Sequence, residues 1–134
     1  MPHKLLDAAT PADSRETERF IALVADKLTA TDRLFRECLA SDVPFIQKSG
    51  EYIFDGGGKR MRPALLLLCA RLLDRDGEEE VTYAAVVELI HTATLIHDDI
   101  IDHSTLRRGR KTLNELWGNN LTVLLGDWLY TTAM

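Results

Sequence analysis

Apolar residues recur every three or four positions through most of this chain, the spacing of amphipathic helices. The first such stretch follows a helix-capping residue, Asp13 or Ser14. Spacing, caps, prolines and glycines together predict helices over residues 13–28, 31–39, 44–55, 63–73 and 83–102, a turn at 113–117 and a last helix from 121 onward. Thr31 or Asp32 is the expected cap of the second helix, and Thr82 that of the fifth. Residues 1–10 lack the pattern and are expected to fray. No segment shows sustained strand-like alternation, so the predicted fold class is all-α.

Two of the predicted helices are unusually apolar. The run Leu65–Leu68 is apolar on every side, which is typical of a central buried helix, although a short buried strand gives the same pattern. The acidic turn and the long helix that follow it favour the helix. The last helix, Leu121–Met134, contains no residue that would end it near its last position, so the pattern predicts a helix that continues.

Composition and charge argue against several classes of protein. The chain has 134 residues, 46% hydrophobic and 28% charged, which is typical of one soluble globular domain. The longest apolar run, Ala64–Ala70, is far shorter than the roughly 20 residues of a membrane span, and no secretory signal is visible, so we expect a cytoplasmic protein without a membrane span. A net charge of −5 argues against a nucleic-acid partner. Cys38 and Cys69 stand apart from other metal-binding residues, which argues against zinc.

The acidic segment Asp98–Asp102 is the first candidate for chemistry. Asp98 and Asp102 lie one helical turn apart on one face, where their like charges repel unless a cation lies between them. Carboxylate oxygens suit Mg²⁺, which uses one or two carboxylates together with substrate phosphates and water. Asp99 points to a different face and is not expected to share the metal. A solvated acidic helix end is the alternative, but the apolar surroundings favour a metal site.

A glycine run followed by cations is the second candidate. Gly56–Gly58 precede Lys59, Arg60 and Arg62. Glycines let the backbone approach a ligand closely, and the cationic side chains supply charge and hydrogen-bond donors for phosphate oxygens. The alternative is a glycine run that ends a helix and a charged loop in water. The spacing is not that of a Walker P-loop.

A third cluster, Arg107–Lys111, follows the acidic helix. Its arginines either pair with the carboxylates of that helix or join them in holding a metal–diphosphate. His91 lies two helical turns before Asp98 on the same face, where it is either a phosphate donor or an ordinary core residue.

In this order, the residues resemble the trans-polyprenyl diphosphate synthases. The resemblance rests on Gly-Gly-Gly-Lys-Arg-Met-Arg-Pro at 56–63, Asp-Asp-Ile-Ile-Asp at 98–102, Arg-Arg-Gly at 107–109 and Asn-Asn-Leu-Thr-Val-Leu-Leu-Gly-Asp-Trp-Leu at 119–129. It implies the N-terminal part of an isoprenoid-synthase-type all-α helical bundle around a deep cavity. It also implies a Mg²⁺-dependent prenyltransferase that condenses an allylic diphosphate with isopentenyl diphosphate, head to tail.

The resemblance assigns a role to individual residues. Asp98 and Asp102 would bind the Mg²⁺ that bridges to the allylic diphosphate. Arg107 would hold that diphosphate while the allylic carbocation forms. Isopentenyl diphosphate would be held by Lys59, Arg62, His91 and Arg108.

Product length and assembly are also implied by the resemblance. In the family, the two positions that line the floor under the growing chain are occupied here by Ala93 and Thr94, which are both small. An open floor implies a medium- or long-chain, octaprenyl-like product. The family also implies a homodimer.

The sequence departs from the family pattern downstream of the acidic helix. The family has a second aspartate-rich motif and a later lysine, and neither follows Asp102. Residues 1–134 are therefore expected to form a single incomplete domain that is inactive by itself. One alternative is a non-catalytic regulatory or partner subunit of a heteromeric prenyl diphosphate synthase. The other is an HD-type phosphohydrolase built on His97 and Asp98, for which the only histidine before His91 is His3.

Overall fold

The structure is a computed structural model that describes residues 11–75 and 77–134. Within these residues the helices are α1 (Pro11–Ala22), α2 (Ala25–Cys38), α3 (Pro44–Asp55), α4 (Met61–Leu72), α5 (Glu79–Ile101), α6 (Leu113–Trp117) and α7 (Asn119–Ala133). A two-stranded sheet is formed by β1 (Leu106–Arg107) and β2 (Arg110–Lys111). The predicted all-α class is confirmed, and the prediction for residues 1–10 lies outside the described residues.

The first helical stretch is divided differently from the prediction. We expected one helix there and a second from Thr31, but the chain turns between α1 and α2. At this turn, Arg71 Nη1 donates a hydrogen bond to the carbonyl oxygen of Leu23 (2.8 Å), and Val24 is buried. Thr31 does not cap a helix, because its hydroxyl donates to a backbone carbonyl one turn earlier within α2. Tertiary contacts therefore fix a break that helical spacing did not reveal.

Three later helices begin earlier than predicted. α5 begins at Glu79, so Thr82 lies within the helix instead of capping it. The carboxylates of Glu79 and Glu80 favour this earlier start because they lie at the positive end of the helix dipole. α4 begins at Met61 and α7 at Asn119, each before the predicted first residue.

The basic segment after α5 is a hairpin rather than an irregular loop. β1 and β2 pair antiparallel, with Arg107 opposite Arg110. Arg108 and Gly109 form the two-residue turn, and both have positive φ angles (52° and 76°), as a type I′ turn requires. Strands of two residues are too short for side-chain alternation to be visible in the sequence.

The core is built around α5, which contacts α2, α4 and α7. The larger apolar cluster joins α2, α5 and α7 and includes Phe35, Leu89, Leu125 and Leu129. A smaller cluster joins the turn before α2 to α4 and α5 through Val24, Leu67 and Ala84. α5 is therefore the helix that joins α2, α4 and α7.

α4 is buried on one side, in contrast to the expected central buried helix. Leu67 is 1% exposed, whereas Leu65 is 64% exposed and Leu72 is 83% exposed. The run is helical, as predicted, but the central position belongs to α5. None of the described helices combines the length and the hydropathy needed to cross a membrane.

α7 packs closely against α5 at Gly126. A Cβ atom at this position would overlap the imidazole ring of His97. The Nε2 atom of that ring lies 3.2 Å from the carbonyl oxygen of Val123. This contact fixes α7 against the helix that carries the acidic segment.

Candidate functional site

A cavity of about 580 Å³ opens between the end of α3, the glycine run, α5 and the hairpin. It is lined by five of the predicted site residues, Lys59, Arg62, His91, Arg107 and Arg108. These residues come from three separate segments of the chain. The fold thus brings together every residue that the sequence assigned to diphosphate binding.

The glycine run links α3 to α4 and exposes its cations. Gly57 has a φ of +62°, and no atom lies within 4 Å of a Cβ built there, so backbone conformation rather than space favours glycine. Lys59 and Arg62 are exposed at the cavity. Arg62 lies in the first turn of α4, where backbone N–H groups and the helix dipole favour a bound anion.

Arg60, between these two cations, has a different role. Its side chain is 16% exposed and forms ion pairs with Asp32 (2.6 Å) and Glu88 (3.0 Å). Its guanidinium also lies 5.0 Å from the ring centroid of Phe35. Arg60 is therefore an anchor that ties the glycine run to α2 and α5. Sequence reasoning missed this role, because both carboxylates lie 28 positions away from Arg60.

The alternative of carboxylate pairing, left open for the arginines after α5, is realised at Arg107. Its Nε and Nη2 atoms donate hydrogen bonds of 2.8–3.0 Å to the carboxylate of Asp99, which is 6% exposed. Hydrogen bonding to Asp99 raises the pKa of Arg107. The pairing explains why Asp99 is buried and fixes Arg107 at the cavity. Sequence reasoning gave Asp99 no role of its own.

Arg108 and His91 are the remaining predicted residues that line the cavity. Arg108 is exposed, and its Nη1 donates to the carbonyl oxygen of Gly57 (3.0 Å), which links the hairpin to the glycine run. His91 is half-buried on α5. Burial lowers the pKa of His91, and the positive charge of Arg62 lowers it further. A ring N–H group of His91 can donate a hydrogen bond to an anion held beside the arginines.

The acidic pair, Asp98 and Asp102, lies apart from the cationic residues of the cavity. Asp98, on α5, and Asp102, directly after its last residue, are both exposed, and neither lines the cavity. Their carboxylate oxygens are the hard donors that Mg²⁺ prefers, so the donor set fits such an ion with further ligands from phosphate and water. Within residues 11–75 and 77–134, no group of three or more His, Cys, Asp or Glu side chains is placed to hold a metal.

The two predicted chain-length positions face different surroundings. Ala93 is 1% exposed and belongs to the core cluster around α5. Thr94 is exposed, and its hydroxyl donates to the carbonyl oxygen of His91 (2.7 Å). Neither residue lines the cationic cavity. Thr94 lies one turn before Asp98, on the exposed face that carries the acidic pair.

Comparison with known proteins identifies the family. The family model described as polyprenyl synthetase matches residues 43–134. The chain belongs to this family. It is 46% identical over 116 residues to the octaprenyl diphosphate synthase of Escherichia coli, an alignment that covers 87% of this chain and 36% of that protein. The chain therefore spans about a third of the length of the curated relatives it matches.

Solved polyprenyl synthase structures share this fold. A polyprenyl synthase from Caulobacter crescentus, complexed with calcium and isoprenyl diphosphate, superposes with a TM-score of 0.83 at 40% identity, covering 87% of this chain and 35% of that chain. A decaprenyl diphosphate synthase from Rhodobacter capsulatus gives a TM-score of 0.79 at 42% identity, covering 87% and 36%. The predicted isoprenoid-synthase-type helical fold is confirmed, and so is the resemblance on which it rested.

Proposed function

We propose that this chain supplies the diphosphate-binding part of a polyprenyl diphosphate synthase, which condenses an allylic diphosphate with isopentenyl diphosphate. The observation that carries the proposal is the single cavity lined by Lys59, Arg62, His91, Arg107 and Arg108. The names of similar proteins, among them octaprenyl and decaprenyl diphosphate synthases, support the same reaction class.

The charge of the cavity fits a polyanion. Its charged lining consists of two carboxylates and seven cations: Glu88, Asp99, Lys59, Arg60, Arg62, Arg107, Arg108, Arg110 and Lys111. Both carboxylates are already engaged, Glu88 by Arg60 and Asp99 by Arg107. Within the described part of the chain, no carboxylate pairs with the other five cations. The excess positive charge suits a diphosphate.

In this proposal each residue binds or orients a substrate group. Lys59, Arg62, His91 and Arg108 hold isopentenyl diphosphate, and Ile53 and Leu95 supply apolar lining beside them. Arg107 faces the allylic diphosphate, with its orientation fixed by Asp99.

The acidic pair completes the proposed site. Asp98 and Asp102 would hold Mg²⁺ through their exposed carboxylates. The bound ion would supply the electrostatic stabilisation that lets diphosphate leave the allylic group. Calcium in the similar Caulobacter crescentus structure supports a divalent cation in this role.

The test is a chimera in which this chain replaces the matching 116-residue segment of the Escherichia coli octaprenyl diphosphate synthase. Incubated with farnesyl diphosphate, isopentenyl diphosphate and Mg²⁺, the chimera is expected to release polyprenyl diphosphate. The same chimera with Asp98→Asn is the inactive control. A chimera that folds but forms no product in either version contradicts the catalytic proposal and supports a non-catalytic partner subunit.

We further propose a medium- or long-chain product, because Ala93 and Thr94 are small. Phenylalanine at Ala93 would overpack the core, so the informative substitution is Thr94→Phe, at an exposed position. It is expected to shorten the product of the chimera by several isoprene units on chromatography. Thr82→Phe, at an exposed position on the same helix, is the matched control and leaves the length unchanged. An unchanged product from Thr94→Phe removes that residue from length control.

A cytoplasmic homodimer is part of the same proposal. α7 exposes apolar side chains, including Leu121 (43%), Leu124 (62%) and Tyr130 (48%). Such a face is suited to burial against a second copy. Sedimentation of the purified chain measures its oligomeric state, and a strictly monomeric chain contradicts the dimer.

A further inference from the structure

The hairpin places two arginines directly opposite each other. Arg107 and Arg110 are register partners of β1 and β2, and like charges facing each other across strands are destabilising. Asp99 compensates Arg107. Within the described part of the chain, Arg110 has no carboxylate partner. Something other than an ion pair must stabilise its position.

Tyr52, in the last turn of α3, meets this requirement. The guanidinium carbon of Arg110 lies 3.9 Å from the centroid of the Tyr52 ring, close enough for a cation–π contact. Arg110 Nη1 also donates to the carbonyl oxygen of Tyr52 (3.2 Å). In return, the Tyr52 hydroxyl donates to the carbonyl oxygen of Lys111 (2.8 Å). Three interactions therefore join two residues of β2 to one residue of α3.

The fit of this contact depends on the neighbouring glycine. A Cβ atom on Gly56 would lie 3.1 Å from Arg110 Nη1, which is tighter than ordinary van der Waals contact. Gly56 thus leaves room for the arginine at the point where α3 passes into the glycine run. A fourth interaction, the hydrogen bond from Arg108 to Gly57, crosses the same gap.

We propose that Tyr52 and Arg110 form a clamp that positions the two cationic walls of the cavity relative to each other. One wall is the glycine run, which carries Lys59 and begins four residues after Tyr52. The other is the hairpin, which carries Arg108 two residues before Arg110. Both clamp residues are positioning residues: one face of the Arg110 guanidinium lies against the ring and one of its N–H groups is bonded to Tyr52. The statement that these two walls bind a diphosphate rests on the proposed function.

The clamp is tested in the 134-residue chain by two readouts, affinity for inorganic diphosphate and hydrogen exchange of the hairpin amides. Tyr52→Leu is expected to weaken diphosphate binding about tenfold and to speed exchange in the hairpin, because it removes the cation–π contact and one hydrogen bond. Tyr52→Phe keeps the ring and is expected to lose only about threefold. Tyr83→Leu, at a position 59% exposed on α5, is the matched control and changes neither readout.

The double variant Tyr52→Leu/Arg110→Gln tests whether Arg110 positions the cavity walls or binds diphosphate itself. A clamp predicts that the double variant binds diphosphate no more weakly than Tyr52→Leu, because both changes break one unit. If Arg110→Gln weakens binding while Tyr52→Leu does not, Arg110 is a direct ligand and the clamp is wrong. If the unaltered chain binds no diphosphate, the proposed binding function fails, while hydrogen exchange in the hairpin still decides the clamp. Unchanged exchange in Tyr52→Leu overturns it.

Discussion

The cationic and acidic halves of the proposed site are built in opposite ways. The cationic half draws on three segments of the chain and lines one cavity. The acidic half consists of Asp98 and Asp102, which are exposed at the C-terminal end of a single helix, outside that cavity. One half is a three-dimensional arrangement, and the other is a local feature of α5.

Buried partners account for the difference. On the cationic side, Arg60 is held by Asp32 and Glu88, and Arg107 is held by Asp99. These pairs fix the backbone segments from which the exposed cations project. Water solvates the two exposed carboxylates instead, which limits their mutual repulsion. The cationic half is therefore preorganised by pairs within this chain, whereas the two exposed carboxylates of the acidic half form no ion pair with the described residues.

Removing its anchor, Arg60, should disturb the cationic half more than any other single substitution. Arg60→Met is expected to lower the free energy of unfolding by about 3 kcal/mol, because it leaves the largely buried Glu88 without its partner. Urea denaturation followed by circular dichroism measures the change.

The matched control is Arg33→Met, which breaks an exposed ion pair with Glu37 (4.0 Å) on α2. We expect its effect to stay below about 0.5 kcal/mol, since exposed pairs within one helix contribute little. Equal effects of the two substitutions would mean that Arg60 is not an anchor, and the cationic half would then lack its preorganisation.

Sequence spacing predicted those parts of the molecule whose determinants are local. Six of the helices were predicted because apolar periodicity, glycines or prolines mark them within a short stretch of sequence. The acidic pair was predicted because its two residues are one helical turn apart. The break at Leu23 and Val24 was not predictable, because it depends on Arg71 of another helix. The start of α5 differs from the predicted one for another reason. The helix begins with acidic residues and not at the expected threonine cap.

The sequence predicted which residues of the candidate site could bind a ligand. It did not predict which residues hold those side chains in place. Family resemblance identified the residues that line the cavity. It did not reveal that Arg60 forms ion pairs with two carboxylates, or that Tyr52 contacts Arg110, which lies 58 positions later in the sequence. Such pairings join residues that only the tertiary fold brings together. Whether an arginine in a cationic cluster is a ligand or an anchor therefore depends on partners that a single sequence does not reveal.

The cationic and acidic halves should differ in how their contribution to diphosphate binding depends on Mg²⁺. Arg62→Gln is expected to weaken the affinity of the chain for inorganic diphosphate about tenfold with and without Mg²⁺, because it removes a charged hydrogen-bond donor. Asp98→Asn is expected to leave affinity without Mg²⁺ unchanged and to abolish the gain that Mg²⁺ gives. Isothermal titration with and without MgCl₂ measures both.

Asp42→Asn, at an exposed position before α3, is the control for loss of one negative charge. If Asp98→Asn weakens binding in the absence of Mg²⁺ as strongly as Arg62→Gln does, the acidic and cationic halves act as one unit. The contrast drawn between them would then be wrong.

The smallest expected effect concerns the protonation of His91. Burial and the charge of Arg62 lower the pKa of His91, so in the free chain protonation favours the unfolded state, and stability falls as the pH drops below about 6.5. A bound anion reverses this preference by stabilising the imidazolium. Between pH 7.5 and 6, diphosphate affinity should therefore rise about threefold more in the wild type than in His91→Gln, a factor equivalent to about half a pKa unit of coupling. Comparing the two proteins cancels the titration of diphosphate itself. Parallel pH profiles would show that His91 does not contact the anion and would leave the arginines as the pH-independent part of the cationic half.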